Sequence, residues 1–587
     1  MEKTRSIAEL LRYVEKHYHK EKAFGEKIGH SWVYHSHKDF LNQVKSITLY
    51  LNSLGIKKGD MVGILATPGV RWVIADLAIM ACGGITVPLF ANISNENFVF
   101  ECEQTNLKTI FVLGHEAWDM LERHRELFDT VIAMDAPPRG ETCATFDKGL
   151  EIGRNLAKKH PHLFDKFLDE INENDIATIV YTSGSTGVPK GVVLSQKNIL
   201  CPSFHNFMGL TESDRLLSVL PLAHIFARDV TFVAMRWNVG MYFYNDVKTA
   251  GTAFQEIHPT ITCFVPRILE KIYAKMVAKV NEAGFLKRSI GQWAFNIAMD
   301  EDFEKHFFHP LADKIVYKTL REAFGSHLRM IVSGAAPLNP SLNRFFNNIG
   351  MPVFEGYGMT EAMIMSVNTP ERYKMGTVGA TIQGVELKIS SEGEIMVRFD
   401  GVMREYYKNP KATKEALDKE GWLHTGDKGN LDEDEFVKIL GRVQELVKSS
   451  TGEWIAPVPL EQELGKAPFV EFSMIIAERR KFVSALIFPN FEVVHALKKS
   501  QNLEHLTDEE YLSSEFIKRE MDLLIETINS HHNHWEQIHA YRFVLTPPTI
   551  ESGELTPTLK IRRSNVEKKY KHLIDSMYPE DKSTKIA

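Results

Sequence analysis

The stretch "YTSGSTGVPKG", from Tyr181 to Gly191, holds three glycines, five hydroxyl-bearing residues and one lysine in eleven positions. It follows "DIATIV", an apolar run that predicts a buried strand. Glycines let backbone N–H groups approach an anion closely, and Lys190 adds a positive charge. We therefore predict a phosphate-binding loop at the end of this strand, with a plain glycine- and serine-rich surface turn as the alternative for the stretch taken alone.

The loop differs from the phosphate loop of kinases and ATPases, whose pattern is GxxxxGK[ST]. Val188 and Pro189 separate Gly187 from Lys190, and Gly191 stands where that pattern needs Ser or Thr. The stretch also lacks the GxSxG frame of a serine hydrolase. A different kind of phosphate-binding loop is indicated.

Amphipathic runs alternate with short apolar runs on the N-terminal side of the loop. The runs Phe40 to Leu54, Val70 to Cys82 and Asn95 to Thr105 predict helices, and "MVGILA", "ITVPLF" and "KTIFVL" predict strands. The alternation returns beyond the loop in "DRLLSVLPLAH", "ITCFVP" and "LRMIVSGAAPL". Such alternation is typical of a parallel sheet covered on both faces, with ligands at the carboxyl ends of its strands.

The pattern changes towards the C-terminus. Short strands with tight turns begin near Lys388, and a smaller α+β unit follows Arg442. A chain of 587 residues also exceeds the size of one hydrophobic core. We predict an α/β protein with a large N-terminal domain of mixed, largely parallel sheets covered by helices, residues 1–441, and a small mobile α+β C-terminal domain, residues 442–587.

The composition is that of an ordinary globular protein, with 44% hydrophobic and 25% charged residues. A net charge of -7 argues against nucleic acid as a partner. The most apolar window, Val73 to Phe90, contains Asp76, a Gly-Gly pair and Pro88, so we expect no membrane-spanning helix. The N-terminus lacks the apolar core of a secretory signal, and the five cysteines are scattered, which together predict a cytoplasmic protein.

Six further motifs follow in a fixed order along the chain. They are "PLAHIFARDV" (Pro221 to Val230), "SGAAPL" (Ser333 to Leu338), "EGYGMTE" (Glu355 to Glu361), "GWLHTGD" (Gly421 to Asp427), "GRVQELVKSSTGEWIAP" (Gly441 to Pro457) and "LTPTLKIRR" (Leu555 to Arg563). With the opening loop, this set resembles the adenylate-forming (AMP-binding) superfamily of acyl-CoA synthetases, luciferases and nonribosomal peptide adenylation domains. "PLAHIFAR" and "LTPTLKIRR" are most similar to its long-chain fatty acid CoA ligase branch.

The resemblance spans the chain from Phe40 to Arg563 and implies a two-step reaction. A fatty acid carboxylate attacks the α-phosphate of ATP in the presence of Mg²⁺, giving acyl-AMP and pyrophosphate, and a thiol then takes the acyl group. Coenzyme A is the expected thiol, as a co-substrate, and the alternative is an acyl-acyl carrier protein synthetase. An inactive AMP-binding module is disfavoured because Glu361 and Lys560 are both present.

The resemblance also implies which residues bind ATP. Hydroxyl groups of the loop and Lys190 would hold the β- and γ-phosphates, Tyr357 would offer an aromatic face to adenine, and Asp427 would accept hydrogen bonds from the ribose hydroxyls. The full expected set is Thr182, Ser183, Gly184, Ser185, Thr186, Gly187, Lys190, Gly334, Ala335, Ala336, Tyr357, Gly358, Asp427 and Arg442.

Four residues are implied in catalysis. Thr360 would donate to the α-phosphate, and Glu361 would ligate Mg²⁺, which prefers oxygen. Lys560 would bring its charge to the carboxylate and α-phosphate during adenylation, and His224 would line the acyl entrance. Three stretches, "HNFMGL" (His205 to Leu210), "VTFVAMRW" (Val230 to Trp237) and "MIMSVN" (Met363 to Asn368), are candidates for the acyl tunnel.

The second step implies a rotation of the small domain. Gln444 stands at the hinge, where the family usually has Asp or Lys, and Gly452 and Glu453 lie in the segment presented to the thiol. Either thiol partner is anionic and would suit basic residues near the C-terminus. A long-chain substrate further implies transient contact with the inner face of a membrane. The basic residues in question are Arg479, Arg480, Lys481, Lys568 and Lys569.

Overall fold

The structure is a computed structural model that describes residues 4–183, 188–246, 249–300, 303, 307–443, 447–450, 453–556 and 560–578. The chain divides into two compact units. The N-terminal unit comprises Met1–Ser390, Met396–Thr425 and Leu431–Lys438, and the C-terminal unit comprises Ser391–Ile395, Gly426–Asn430 and Ile439–Ala587. The domain boundary between residues 441 and 442 stays a prediction.

The described strands form five sheets. Their bounds are β1 Phe24–Ile28, β2 Ser31–His35, β3 Met61–Ala66, β4 Ile85–Leu89, β5 Thr109–Leu113, β6 Thr130–Ala133, β7 Ala144–Thr145, β8 Ile176–Ser183, β9 Pro189–Ser195, β10 Arg215–Ser218, β11 Gly240–Phe243, β12 Ile261–Phe264, β13 Met330–Ser333, β14 Val353–Met359, β15 Met363–Val367, β16 Ala380–Thr381, β17 Glu386–Ile389, β18 Glu394–Arg398, β19 Glu405–Tyr406, β20 Leu423–Leu431, β21 Val437–Arg442, β22 Val447–Lys448, β23 Trp454–Ile455, β24 Val470–Ile476, β25 Val483–Pro489 and β26 Ile538–Phe543.

The helices alternate with these strands in the first part of the chain. Their bounds are α1 Ile7–His17, α2 His37–Ser53, α3 Val70–Ala81, α4 Asn95–Thr105, α5 His115–Arg123, α6 Phe146–Lys159, α7 Leu163–Asp169, α8 Gln196–Leu200, α9 Ile225–Arg236, α10 Ala250–Ile257, α11 Pro266–Asn281, α12 Phe285–Met299, α13 His309–Ala312, α14 Lys318–Glu322, α15 Pro340–Asn348, α16 Pro410–Ala416, α17 Pro457–Leu464, α18 Phe491–Ser500, α19 Asp508–Leu512, α20 Glu515–Ser530, α21 Arg563–Lys569 and α22 Lys571–Ser576. Within the described ranges, none of these helices is long and apolar enough to cross a bilayer.

The first large sheet has eight strands in the order β19-β9-β8-β4-β3-β5-β6-β7. Strands β3, β4 and β5 run parallel, and α2, α3 and α4 lie where the amphipathic runs predict them. All five residues of β4 are buried, as expected for a strand covered on both faces. The predicted strand before the phosphate loop is β8, which pairs parallel with β4.

The second large sheet has nine strands in the order β16-β15-β14-β13-β12-β10-β11-β1-β2. Strands β10, β12, β13 and β14 are parallel, so the motifs that follow β13 and end β14 lie at the same edge. Both sheets also contain antiparallel pairs, such as β8 with β9 and β14 with β15. The predicted α/β class with mixed, largely parallel sheets is confirmed.

The C-terminal unit contains the three-stranded sheet β24-β25-β26. Alternate residues of β25 enter two different cores, with Ala485 and Ile487 on one face and Leu486 and Phe488 on the other. The first core also includes side chains of α17 and α20, and the second includes side chains of α21 and α22. This is the predicted small α+β unit. A further sheet, in the order β17-β18-β20-β21, occupies the region of short strands and tight turns.

Candidate active site

Small residues follow β13 at the carboxyl edge of the nine-stranded sheet. A Cβ atom on Gly334 would lie 3.3 Å from the carbonyl oxygen of Gly356 on β14, which is too close for a larger residue without a shift. Ala335 has a φ of +69°, a left-handed conformation that is uncommon for residues other than glycine. The backbone of "SGAAPL" is therefore held in a special conformation at the edge where ligands bind in such sheets.

Thr360 and Glu361 occupy the tight turn between β14 and β15. Both are buried, at 9% and 8% exposure. The turn is narrow because a Cβ on Gly358 would collide with the carbonyl oxygen of Met363, which itself has a φ of +49°. Gly358 thus has a packing reason to be glycine, and its predicted contact with ATP stays a prediction.

Glu361 and Lys190 both contact one tyrosine. The Tyr406 hydroxyl donates to Glu361 Oε1 at 2.8 Å, and Lys190 Nζ lies 5.1 Å from the centre of the Tyr406 ring. Tyr406 is placed there by β19, which pairs antiparallel with β9, the strand that carries Lys190. The structure therefore brings together the predicted lysine of the phosphate loop and the predicted metal ligand.

Tyr406 is a site residue that the sequence motifs do not mark. It lies 45 positions beyond Glu361 in "REYYKNP", where two adjacent tyrosines look like ordinary packing residues. Only the pairing of β19 with β9 identifies which of the two reaches the carboxylate.

Mg²⁺ bound with a nucleotide fits this arrangement. Among the described residues there is no group of three or more His, Cys, Asp or Glu side chains that could cage a metal. Mg²⁺ delivered with ATP needs only one or two carboxylates besides the phosphates. Glu361 would supply one, and the hydrogen bond from Tyr406 to one of its oxygens fixes its orientation.

The predicted adenine partner, Tyr357, lies on β14 with its side chain buried. Thr182 lies on β8 opposite Lys190, and its Oγ1 donates to the Lys190 carbonyl oxygen at 3.4 Å. Gly184, Ser185, Thr186 and Gly187 lie outside the described residues, as does the side chain of Ser183. Direct contact of these residues with ATP stays a prediction.

His224 caps the N-terminus of α9. Its Nδ1 accepts a hydrogen bond from the backbone N–H of Phe226 at 3.2 Å, which satisfies one of the amides that a helix start leaves unpaired. His224 therefore has a local structural role, and its predicted place at the acyl entrance stays a prediction. Phe226, two residues further on, borders an apolar cavity between α9 and the nine-stranded sheet.

An apolar cavity with a volume of about 70 Å³ lies between α9 and the nine-stranded sheet. It adjoins the motif edge, since a Cβ on Gly334 would lie 3.8 Å from Phe226 and one on Gly356 would lie 3.6 Å from Ile364. Its lining comprises Pro202, Phe207, Met208, Leu210, Leu216, Phe226, Asp229, Val230, Val233, Ala234, Val239, Ile261, Cys263, Met330, Val332, Ile364 and Val367.

All three stretches proposed for an acyl tunnel contribute to this lining. The contributions from β10, β12 and β13 were not predicted, because their residues are equally typical of a sheet core. The structure thus supplies an apolar cavity next to the buried turn that carries Glu361.

Two predicted ATP-binding residues pair within the C-terminal unit. Arg442 Nε lies 2.9 Å from Asp427 Oδ1, and the Asp427 side chain is 8% exposed while that of Arg442 is 49% exposed. The N–H of the preceding residue, Gly426, donates to Glu394 Oε1 at 2.9 Å. Asp427 is therefore a fixed carboxylate with a cation beside it, as expected of a hydrogen-bond acceptor for a diol.

Lys560 lies in a closed loop of the C-terminal unit. Its backbone N–H donates to Thr556 Oγ1 at 3.0 Å, the Thr556 N–H donates to the Lys560 carbonyl at 2.8 Å, and Leu555 bridges to Ile561. The Lys560 side chain is exposed. Hydrogen bonds therefore hold the backbone at Lys560, while its side chain lies at the surface.

The predicted hinge and thiol-side residues are described only in part. Gln444 and Gly452 lie outside the described residues. Glu453 is exposed, and its N–H donates to Ser449 Oγ at 3.1 Å in the turn that joins β22 to β23.

Comparisons with known proteins agree along nearly the whole chain. Residues 12–407 match the model of a family described as AMP-binding enzyme, and residues 444–582 match one described as AMP-binding enzyme C-terminal domain. A long-chain-fatty-acid–CoA ligase of Mycobacterium bovis is 31% identical over 561 residues, covering 92% of this chain and 91% of that protein. Fatty acyl-CoA synthetase A of Dictyostelium discoideum is 28% identical over 598 residues, covering 95% of this chain and 88% of that one.

Solved structures share the fold at lower identity. The adenylation domain of a carboxylic acid reductase from Segniliparus rugosus, in complex with AMP and a co-purified carboxylic acid, aligns with a TM-score of 0.75 at 18% identity, over 98% of this chain and 94% of that one. An anthranilate CoA ligase in complex with anthranoyl-AMP aligns with a TM-score of 0.71 at 19% identity, over 97% and 98% of the two chains.

Proposed function

The chain belongs to the AMP-binding enzyme family, and we propose that it is an AMP-forming ligase that joins a long-chain fatty acid to coenzyme A. The products are acyl-CoA, AMP and pyrophosphate. The observation that supports a fatty acid as the substrate is the apolar cavity beside the buried turn of Glu361. Transfer of an alkyl chain from water into such a cavity is favourable. The relatives named as fatty acyl-CoA ligases support the same substrate class.

The first step joins two anions. A carboxylate oxygen of the fatty acid attacks the α-phosphorus, the new C–O–P linkage forms, and the bond to pyrophosphate breaks. Lys190 and Thr360 place a cation and a hydroxyl donor where negative charge builds up, which lowers the barrier electrostatically. Glu361 would hold Mg²⁺, which would supply positive charge to the phosphate oxygens. The hydroxyl of Tyr406 keeps Glu361 oriented for this role.

The nucleoside is the ligand of the residues predicted to bind adenine and ribose. Tyr357 offers its ring to adenine, and the small residues Gly334 to Ala336 leave the backbone accessible. Asp427 accepts from the ribose hydroxyls, and Arg442, whose Nε lies 2.9 Å from Asp427 Oδ1, orients that carboxylate.

The second step uses the C-terminal unit in a different orientation. Lys560 serves adenylation, and a rotation about Gln444 then replaces it with the segment that contains Gly452 and Glu453. The thiolate of coenzyme A attacks the acyl carbonyl, and AMP leaves. Two of the basic residues considered for coenzyme A are engaged internally, Arg480 with Asp575 at 3.2 Å and Lys569 with Glu554 at 2.8 Å.

We propose further that the protein is cytoplasmic and contacts the inner membrane face through the start of α12. Phe285 and Leu286 are 78% and 71% exposed there and are followed by exposed Lys287 and Arg288. Adjacent apolar and basic side chains suit an anionic lipid surface.

A lipid-binding measurement tests this surface. Co-sedimentation with phosphatidylglycerol vesicles should fall when Phe285 and Leu286 are both changed to Glu, and should persist when exposed Phe516 of α20 is changed to Glu. Equal vesicle binding by both variants would show that the start of α12 is not the membrane-contacting surface.

A product assay tests the function itself. The protein is incubated with ATP, Mg²⁺ and palmitate, and coenzyme A or holo acyl carrier protein is added in separate reactions. The products are identified by mass spectrometry. Palmitoyl-CoA is the expected main product. Loading of the carrier protein without palmitoyl-CoA would replace coenzyme A as the acceptor, and the absence of any thioester and of acyl-AMP would overturn the proposal.

A further inference from the structure

One carboxyl side chain lines the otherwise apolar cavity. Asp229 lies on α9 and is 7% exposed, and its Oδ1 is buried without a hydrogen-bond partner in the part of the chain that the structure describes. Buried polar atoms are nearly always hydrogen-bonded, and an unpaired one costs about 1–3 kcal/mol. An unpaired carboxyl oxygen in a cavity wall therefore indicates that something else supplies its partner.

The neighbouring arginine does not serve as that partner, because it is committed elsewhere. Arg228 Nη2 lies 2.8 Å from Asp76 Oδ1, Nε lies 3.1 Å from Asp76 Oδ2, and Nη1 donates to Thr178 Oγ1 at 3.0 Å. Both Arg228 and Asp76 are buried, and their bidentate contact balances the positive charge of the guanidinium.

Burial in this apolar setting raises the pKa of Asp229 well above its ordinary value. This burial favours the protonated carboxyl group, which offers one O–H donor and one carbonyl acceptor. A saturated alkyl chain in the cavity would leave both unpaired. A hydroxyl group on the chain could satisfy both, since it donates and accepts.

We infer that Asp229 recognises a hydroxyl group on the acyl chain, so that the preferred substrate is a hydroxylated long-chain fatty acid. This inference rests on the proposed function and narrows its substrate class. Asp229 is a specificity-determining residue and takes no part in the bond-forming steps.

The helix geometry places the hydroxyl away from the carboxyl end. Phe226 borders Gly334 at the motif edge, and Asp229 lies three residues further along α9, a rise of about 4.5 Å on the same helix face. The hydroxyl should therefore lie beyond the first few carbons. A 2-hydroxy acid would place its hydroxyl beside the reacting carboxylate and out of reach of Asp229.

Substrate competition tests the inference. Stearate, 2-hydroxystearate, 10-hydroxystearate and 12-hydroxystearate are supplied to the full-length enzyme with ATP, Mg²⁺ and coenzyme A, and kcat/KM is measured for each. We expect a mid-chain hydroxy acid to exceed stearate by about tenfold, the value of one well-made hydrogen bond in a dry site, with the gain mainly in KM.

Two variants separate recognition from packing. Asp229→Leu keeps a similar volume and removes the polar group, so kcat/KM for stearate should rise and the preference for the mid-chain hydroxy acid should disappear. Asp229→Asn keeps a donor and an acceptor and should retain part of the preference, which guards against misfolding of the Leu variant.

The outcomes are distinct from those of the proposed function. Stearoyl-CoA formed in preference to every hydroxy product, or equal losses for all substrates in both variants, would overturn the role of Asp229 and leave the ligase standing. Failure to convert any of the four acids would overturn the ligase activity itself.

Discussion

At the scale of single residues, Glu361 is the metal ligand that we propose for adenylation. Its position is fixed from two directions: its carboxylate accepts from Tyr406, and its carbonyl oxygen accepts from the N–H of Met403 at 2.8 Å. The segment around residue 405 is in turn paired to β9, which carries Lys190. The acid and the lysine are thus positioned by the same short strand.

The first prediction concerns Tyr406→Phe. Loss of the hydroxyl removes the hydrogen bond that orients Glu361 and keeps the ring beside Lys190. We expect adenylation to fall about tenfold at low Mg²⁺ and to recover partly at high Mg²⁺, as for other partners of metal ligands. The measurement is the Mg²⁺ dependence of ATP–pyrophosphate exchange.

The neighbouring Tyr407→Phe serves as the control, because the hydroxyl that donates to Glu361 is that of Tyr406, and the change should leave the Mg²⁺ dependence unaltered. An unaltered Mg²⁺ profile in Tyr406→Phe would show that the hydroxyl does not position the carboxylate.

The second prediction concerns Glu355, at the start of "EGYGMTE". Burial raises the pKa of its carboxyl to about 7, although Asn343 Nδ2 donates to Oε1 at 2.8 Å. Because the folded protein holds this proton more tightly than the unfolded chain, the contribution to stability is full below about pH 4.5 and is lost as the pH rises to about 7.

Glu355→Gln removes that titration. The melting temperature of the wild type relative to the variant should fall between pH 5 and pH 7.5, with a slope in unfolding free energy of up to about 1.4 kcal/mol per pH unit. A constant difference between the two proteins across this range would contradict the raised pKa.

Residue roles were predictable only where a motif marks them. Lys190, Thr360 and Glu361 stand in motifs whose residue types match phosphate and metal chemistry. Tyr406 and Asp229 do not, because their significance comes from what lies opposite them in space: a carboxylate 45 positions away and a cavity built from separate segments.

At the scale of elements, the hairpin of β14 and β15 carries most of the predicted chemistry. It has a register shift between Tyr357 and Gly358, and Gly358 then packs against the backbone of Met363 and Ile364. The irregularity turns Thr360 and Glu361 into the buried turn instead of continuing the ladder.

The third prediction is that Gly358→Ala disrupts this turn. The added Cβ would collide with backbone atoms, which cannot move as a flexible side chain can. We expect a loss of about 1–3 kcal/mol in stability and a larger proportional loss in adenylation. Thermal unfolding and ATP–pyrophosphate exchange measure the two effects.

Gly251→Ala is the matched control. A Cβ at Gly251 meets nothing within 4 Å, and the residue lies in α10, so the change should be neutral or slightly stabilising. If Gly358→Ala behaves like Gly251→Ala, the steric account of the hairpin is wrong.

The elements themselves were largely predictable because their periodicity is local. The helices α2, α3 and α4 and the strands between them begin and end close to the predicted residues. Their assembly was not, since the order of strands depends on long-range pairing: β1 and β2, near the N-terminus, join the second sheet beside β11. Nothing in the local pattern of "FGEKI" specifies that partner.

At the scale of the whole molecule, we propose that Lys560 acts in adenylation alone and that thioester formation uses another segment of the C-terminal unit. Hydrogen bonds between Lys560 and Thr556 hold the backbone at this lysine, and its side chain is exposed. The resemblance of the motif "LTPTLKIRR" identified this lysine, whereas its neighbours alone indicate no more than a solvated basic cluster.

The fourth prediction is that Lys560→Ala separates the two steps. Formation of acyl-AMP should fall by about 100-fold or more, because a charge at the transition state is lost, whereas thioester formation from supplied acyl-AMP should be largely retained. Exposed Lys518→Ala in α20 is the control and should leave both steps intact. Equal loss of both steps in Lys560→Ala would contradict the division of roles.

The central claim is that the fatty acid carboxylate attacks the α-phosphate of ATP. To test it, palmitate labelled with ¹⁸O in both carboxyl oxygens is supplied together with ATP, Mg²⁺ and coenzyme A. The mass of the nucleotide product is then determined by mass spectrometry. We expect AMP that carries one ¹⁸O atom, because the attacking oxygen stays on phosphorus when the thiol displaces AMP. Unlabelled AMP, or ADP with the label in inorganic phosphate, would contradict it.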